Sequence, residues 1–290
     1  MGTKKKTTKT KSLSHGRPPT AKPIRTASIS SRATRTLIRS HHNLEKQKAK
    51  ALAEGDHVKV AALTKQIEAQ GGIESYQKAS LLGQANDRGG DSSRVLMEWL
   101  EPVSGKLRDM VTNGRPARLL EVGALSISNA CSKSRLFDIE RIDLNSQADG
   151  IKQQDFMERP LPHDGKEQFD VISLSLVLNY VPDAIGKGQM LLRTLKFLRR
   201  VGSPAGHSET FPCLFLVLPA PCVLNSRYMD ESRMEAIMES LGYSMSEKKI
   251  TNKLIYYLWR LSVDRQTATF FKKEELRSGK MRNNFAIVIK

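Results

Sequence analysis

The run Arg118-Leu-Leu-Glu121-Val-Gly123-Ala124, followed by Arg141-Ile-Asp143-Leu-Asn145, decides the fold of this chain. Apolar residues lead into a glycine, as a buried strand leads into a tight turn. A second apolar segment then ends in a carboxylate, at about the spacing of one strand–helix–strand unit. Glycine lets the backbone approach a ligand with no side chain in the way. The Asp143 carboxylate is suited to accept hydrogen bonds from ribose hydroxyls. Together these features read as a Rossmann-like unit that grips an adenosine-containing cofactor. Gly123, Asp143 and Glu121, two residues before the glycine, are the cofactor contacts it predicts.

A dinucleotide fingerprint carries three glycines, which seat a pyrophosphate at a helix N-terminus. Here the single glycine is followed by Ala124, Leu125 and Ser126. S-adenosyl-L-methionine has no phosphate and needs less of that cradle. The missing glycines therefore weigh against a nicotinamide dinucleotide and for a methyl donor. A strand–helix–strand unit that binds nothing is the bland alternative.

The net charge of +17 is spread unevenly over the 290 residues. Residues 1–44 hold eleven Lys and Arg and no acid, and residues 248–290 hold eleven basic residues against three acidic. The stretch between is nearly neutral. Basic ends on a neutral core fit a polyanionic partner, with the ends bringing nucleic acid to a site in the core. The three cysteines, Cys131, Cys213 and Cys222, form no CxxC pair, so a zinc site and a disulfide framework are not expected. No histidine spacing suggests a metal. No apolar run reaches the roughly 18 residues of a membrane span. Lys4-Lys5-Lys6 with Lys9 and Lys11 resembles a nuclear or nucleolar address. The Arg- and Ser-rich stretch 24–40 offers a mitochondrial transit peptide as the rival reading.

Along the chain, residues 1–42 read as a disordered basic tail with His41-His42 at its edge. Residues 43–110 read as a helical segment: a hairpin over 43–70 broken near Gly55, a short helix over 74–85 carrying Tyr76, and a helix after Asp91-Ser92. Residues 111–290 read as the cofactor domain. Strands are expected at 118–122, 136–143, 151–153, 169–174, 213–218, 243–250, 254–261 and 285–290, with helices at 183–200 and 230–241. This alternation is that of an α/β fold with a mostly parallel sheet, the class I S-adenosylmethionine-dependent methyltransferase arrangement.

Ligands of such sheets sit beyond the carboxyl ends of the strands. Asp155-Phe156 follow the third strand, where Asp155 would accept from the adenine amine of the cofactor. Asn179-Tyr180 follow the fourth strand, where a methyl acceptor would lie; Asn suits a base edge and Tyr suits its face. After the fifth strand come Asn225, Arg227 and Tyr228, an amide, a guanidinium and an aromatic ring suited to base reading. Phe156, Asn179, Tyr180, Asn225 and Tyr228 form the expected pocket, with Asn179, Tyr180 and Tyr228 as its reactive-site residues. Arg88 pairs with the cofactor carboxylate or with RNA phosphate; Arg94 is the weaker candidate and reads as surface charge.

Six runs carry a family resemblance: Gly72-Ile-Glu-Ser-Tyr76-Gln77-Lys-Ala-Ser80-Leu-Leu-Gly83-Gln84, Arg88-Gly-Gly-Asp91-Ser-Ser93, Leu120-Glu-Val-Gly123-Ala-Leu125, Ile142-Asp143-Leu-Asn-Ser-Gln147, Gln154-Asp155-Phe-Met-Glu-Arg-Pro160 and Leu218-Pro-Ala-Pro-Cys222. Over about residues 70–290 the chain resembles the fungal large-subunit (25S) ribosomal RNA adenine-N1 methyltransferases. The resemblance implies S-adenosyl-L-methionine as donor, an adenine of ribosomal RNA in the pre-ribosomal large subunit as acceptor, and a nucleolar location. It implies Gly123 and Asp143 as cofactor contacts. Two other classes stay open: a sensor that binds the cofactor to regulate protein partners, and a non-catalytic ribosome-assembly factor.

Overall fold

The structure, a computed structural model, describes residues 30–83, 90–146, 148–199, 210–262 and 269–290. Arg88 lies outside the described residues, as does most of the basic N-terminal tail.

Seven strands form one sheet: β1 (Ala117–Val122), β2 (Phe137–Asp143), β3 (Lys152–Gln153), β4 (Val171–Ser175), β5 (Cys213–Pro219), β6 (Tyr243–Ile250) and β7 (Leu254–Leu261). Their order across the sheet is β3-β2-β1-β4-β5-β7-β6. The first five run parallel, and β7 is antiparallel to both β5 and β6. This is the expected class I methyltransferase topology.

Strand β5 shows why the sheet must be covered on both faces. Leu214, Leu216 and Leu218 belong to one apolar cluster, and Cys213, Phe215 and Val217 to the other. Alternate side chains of a strand point to opposite faces, and here both faces are apolar. One face is covered by α7 (Ala184–Phe197) and α9 (Glu231–Ser240), through Met190, Leu191, Met234 and Ile237. The other is covered by α4 (Ser93–Trp99), α5 (Ser104–Thr112) and α6 (Ala130–Ser134), through Leu96, Leu100, Leu107 and Cys131. A short helix, α8 (Ala220–Leu224), leads off β5.

Helices α1 (Ser31–Ala53) and α2 (His57–Ala69) share a small core of Leu44, Ala51, Leu63 and Ile67, and α3 (Gly72–Gly83) packs against both helices. The break falls where the sequence predicts it, at Gly55 with φ +73°. The start does not. Residues 31–42, expected within the disordered tail, are helical. Ser30 caps α1 by accepting from the amide of Ala33 at 3.2 Å. Thr34 and His41 are buried, and the Ser40 hydroxyl donates to Gln70 Oε1 at 2.8 Å. An acid-free composition suggests a solvated tail, but tertiary contacts override it.

The expected strand over 285–290 is also corrected. Among the described residues this segment joins no sheet and forms one isolated bridge. The amide of Val288 donates to Ala184 O at 2.9 Å, and Ile289 pairs with Phe271. It crosses α7 at Gly188, where a Cβ would lie 1.9 Å from Val288 O. Phe285, Ile287 and Ile289 then fill the α7 side of the core.

Candidate active site

The parallel strands end at one edge. Val122 is in register with Ile142 of β2 and Leu174 of β4, and Ser175 with Val217 of β5. Gly123, Asp143 and the loops after β4 and β5 are therefore brought together.

Gly123 adopts φ +75°, a conformation that side chains rarely tolerate. Its amide and that of Ala124 both donate to Ile142 O, at 2.8 and 3.1 Å. A Cβ here would lie 2.6 Å from Val177 Cγ2, so the glycine also admits the loop after β4. Asp143 is held at the end of β2, where its Oδ1 accepts from the amide of Asn145 at 2.8 Å.

Glu121 sits beneath this turn. Its Oε1 accepts from Asn129 Nδ2 at 2.7 Å. Its Oε2 lies 3.8 Å from Arg141 Nε, and both atoms are buried without a hydrogen-bond partner among the described residues. Burial pushes the Glu121 carboxyl up to about 7, against the lowering pull of Asn129 and Arg141. Asn129 also caps α6 through Ser132. Asp91 braces the same region: Oδ1 accepts from Ser93 N and Oγ, and Oδ2 from Ala130 N at 2.6 Å. Arg94 is exposed on α4.

These residues fit S-adenosylmethionine. The glycine turn admits backbone approach, the Asp143 carboxylate stands at the strand end for the ribose, and the orphaned Glu121 oxygen is an acceptor of the kind an ammonium group satisfies. Asp155 holds its own turn, with Oδ1 accepting from Met157 N at 2.7 Å. Gln154 N donates to Asp143 O, which keeps that turn beside the end of β2. Phe156 is a correction. Its side chain is 2% exposed and packs on Phe197 with ring centroids 5.3 Å apart, so it belongs to the core and not to a pocket.

On the acceptor side, Leu176 takes φ +59°, a strained conformation for a non-glycine residue, directly after β4. Its amide donates to Val217 O of β5. Three residues on, Asn179 Oδ1 is buried without a hydrogen-bond partner among the described residues. Tyr180 is stacked by a residue from a distant part of the chain: the His42 ring of α1 lies 3.8 Å from it, tilted by 34°. Tyr76 of α3 meets Tyr180 edge-on at 5.6 Å, and His41 stacks on Tyr76 at 4.7 Å. Burial holds the His42 imidazole down at about 3, with Lys46 and His41 adding to the effect, so the ring is neutral.

Asn225 and Arg227 are a second correction. Asn225 Nδ2 donates to Met281 O, and its carbonyl accepts from Asn283. Arg227 donates to Gly279 O and Asn284 Oδ1. Both side chains thus donate to the C-terminal segment, whereas the sequence reading has them facing a base. Tyr228 is half-buried, and Lys273 Nζ lies over its ring, 4.4 Å from the centroid.

Residues 61–287 match the model of the family described as 25S rRNA (adenine(2142)-N(1))-methyltransferase, Bmt2. A 25S rRNA adenine-N(1) methyltransferase of Schizosaccharomyces pombe is 39% identical over 257 residues, covering 87% of this chain and 89% of that protein.

The chain belongs to the 25S rRNA adenine-N(1) methyltransferase family.

A second member, the 25S rRNA (adenine(2142)-N(1))-methyltransferase of Saccharomyces cerevisiae, is 37% identical over 254 residues, covering 86% of this chain and 70% of that protein. Among solved structures, a 1,6-didemethyltoxoflavin-N1-methyltransferase of Burkholderia thailandensis, with bound S-adenosylhomocysteine, shares 15% identity at a TM-score of 0.38. It covers 64% of this chain and 87% of its own. The family match begins within α2, so it leaves out α1 and with it His42. His41-His42 and Tyr76 are visible in the sequence as isolated rings; only the fold joins them to Tyr180.

Proposed function

We propose that this member of the family transfers the methyl group of S-adenosylmethionine to N1 of an adenine in large-subunit ribosomal RNA, in the nucleolus. The observation that carries the reading is the orphaned Asn179 Oδ1 beside Tyr180 at the carboxyl edge of β4. A buried acceptor left unpaired is costly, so the site calls for an N–H donor. The N6 amine of adenine is such a donor and is adjacent to N1. Guanine presents an acceptor at the same place and would meet Asn179 Oδ1 with repulsion.

When bound, S-adenosylmethionine supplies a methyl group on a cationic sulfur. The N1 lone pair forms the new C–N bond while the C–S bond breaks and its electrons return to sulfur. The positive charge moves to the base, and no proton has to leave. A general base is therefore dispensable. The chain's own task is alignment of N1, methyl and sulfur. Asn179 fixes the adenine edge and Tyr180 its face, while Gly123, Glu121 and Asp143 hold the donor. N1 lies on the pairing edge, so the target adenine has to be unpaired or flipped out. The lysine cluster at residues 4–6 supports the nuclear location, and the basic ends support an RNA substrate.

N1 methylation blocks base pairing, so it stops reverse transcription. In cells lacking the gene, a stop at one adenine of the large-subunit rRNA is expected to vanish. It should return with the wild-type chain and not with Asn179→Ala. A stop profile unchanged by deletion would overturn the proposal.

A further inference from the structure

Asn225 and Arg227 hold a turn of the C-terminal segment. The Arg282 amide donates to Gly279 O at 3.2 Å, which closes a β-turn with Lys280 and Met281 at its two corners. Asn225 Nδ2 donates to Met281 O at 3.3 Å, and Arg227 Nε to Gly279 O at 3.1 Å. The flanking backbone is pinned as well. Arg227 N donates to Asn283 O and Asn283 N to Asn225 O, both at 3.0 Å, and Asn283 Nδ2 reaches Pro221 O at 2.6 Å. Fixing a loop costs conformational entropy, which buried side chains commonly offset. Here neither corner is buried: Lys280 is exposed, and Met281 is 91% exposed. The hydrogen bonds thus fix a turn whose two corner side chains face solvent.

The turn stands on the acceptor side of the sheet. From Asn283 the chain passes Ser226, whose hydroxyl donates to Phe285 O at 2.6 Å, and reaches Val288, whose amide donates to Ala184 O at 2.9 Å. It therefore joins the loop after β5 to the start of α7, four residues beyond Tyr180. The surroundings are cationic. Residues 269–290 carry six basic side chains and two acidic ones, Glu274 and Glu275, and Glu274 is paired with Arg233 at 3.3 Å. Arg282 lies along the turn with Nε donating to Ser278 O at 3.0 Å; its two Nη groups and Lys280 Nζ have no partner among the described residues. Cations suit phosphate, and a polarisable thioether suits a base face. Single-stranded RNA offers both in alternation along its length.

We propose that the turn Gly279–Arg282 is a contact for the RNA strand that carries the methylated adenine: Met281 packs on the face of a neighbouring unpaired base, and Lys280 and Arg282 meet backbone phosphates. The inference rests on the rRNA reading above. An apolar side chain set against a base helps keep it out of its stack, which a target read on its pairing edge requires. The phosphate contacts fix the register of the strand without reading its sequence. Asn225 and Arg227 are then positioning residues, which act on RNA through the turn they hold.

The test uses the full chain and purified, unmodified large-subunit rRNA, with methylation kinetics and binding across a salt series. Met281→Ser is expected to raise KM for RNA about tenfold, the scale of one lost base contact, with kcat and the salt slope unchanged. Met281→Leu should keep the wild-type KM. Lys280→Gln should lower the slope of log K against log salt by about 0.7, the value for one phosphate of a single strand. Lys166→Gln, in the loop before β4 at the opposite edge of the sheet, should keep both KM and slope. Cofactor binding measured by calorimetry should be unchanged in all four. Wild-type KM and slope in both Met281→Ser and Lys280→Gln, with rRNA methylated, would overturn the contact and leave the function standing. So would normal activity of these variants on naked rRNA with loss on pre-ribosomal particles, which would assign the turn to a protein. A wild-type chain that does not methylate rRNA would overturn both.

Discussion

The imidazole of His42 lies 3.8 Å from the ring of Tyr180, which ties the first described helix to the loop beyond β4. An aromatic contact of this kind contributes about 0.5–1.5 kcal/mol beyond its area. His42→Ala is expected to lower turnover about tenfold by loosening Tyr180, with cofactor affinity unchanged. His42→Phe keeps the stack and should restore most of the rate. Steady-state kinetics beside calorimetry separates this from general unfolding, which would lower cofactor binding as well.

The same contact has a pH signature. His42 is held at about 3 against an ordinary value of 6.5, because burial disfavours its charged form. Protons therefore bind the unfolded chain more readily. The stabilisation is complete above pH 6.5 and is lost as pH falls toward the folded value. Thermal melts from pH 7 down to pH 4 should show the wild type losing stability faster than His42→Phe.

The sheet was legible in the sequence because its signals are local. Apolar runs at Phe169–Leu174 and Cys213–Leu218 cannot be solvated, and Gly123 marks the turn that the cofactor reading requires. The corrections lie where long-range contacts decide. Arg227 and Asn225 look like base readers until the C-terminal segment fills their hydrogen bonds. Phe156 follows a candidate acidic residue, yet its volume is needed against Phe197. Residues 285–290 alternate as a strand does, but Gly188 opens α7 to them and no sheet edge is used. Nothing in residues 31–42 announces a partner for His42, since Tyr180 is more than a hundred residues away.

Glu121 predicts a pH step in cofactor binding. Its carboxyl is raised to about 7, so it is largely neutral below that value and charged above it. The charged form is the one that attracts an ammonium. Affinity for S-adenosylmethionine should rise as pH increases through about 7, and Glu121→Gln should flatten the rise. Titration calorimetry from pH 6 to pH 8.5 measures both.

Gly123→Ala tests the turn. The left-handed conformation costs a non-glycine residue roughly 1–2 kcal/mol, and the new methyl also meets Val177. Cofactor binding is expected to fall at least tenfold, with a lower melting temperature. Gly123→Arg should abolish binding. Wild-type affinity in Gly123→Ala would mean that the turn does not touch the donor.

Arg277 is the clamp of the C-terminal segment. Its guanidinium donates to Ser226 O, Leu224 O, Val223 O and Met229 O. Arg277→Ala leaves those carbonyls short of donors and is expected to cost about 1.5–3 kcal/mol. Chemical denaturation should show the loss, and Lys273 should no longer cover Tyr228.

The central claim is tested most directly by methyl transfer from labelled S-adenosylmethionine to purified, unmodified large-subunit rRNA, with nucleoside analysis of the product. The account predicts label on adenine N1 with the wild type. Asn179→Ala and Tyr180→Ala should transfer at least tenfold less while still binding the cofactor. Cofactor binding with no label on RNA, or label on another atom or base, would contradict it.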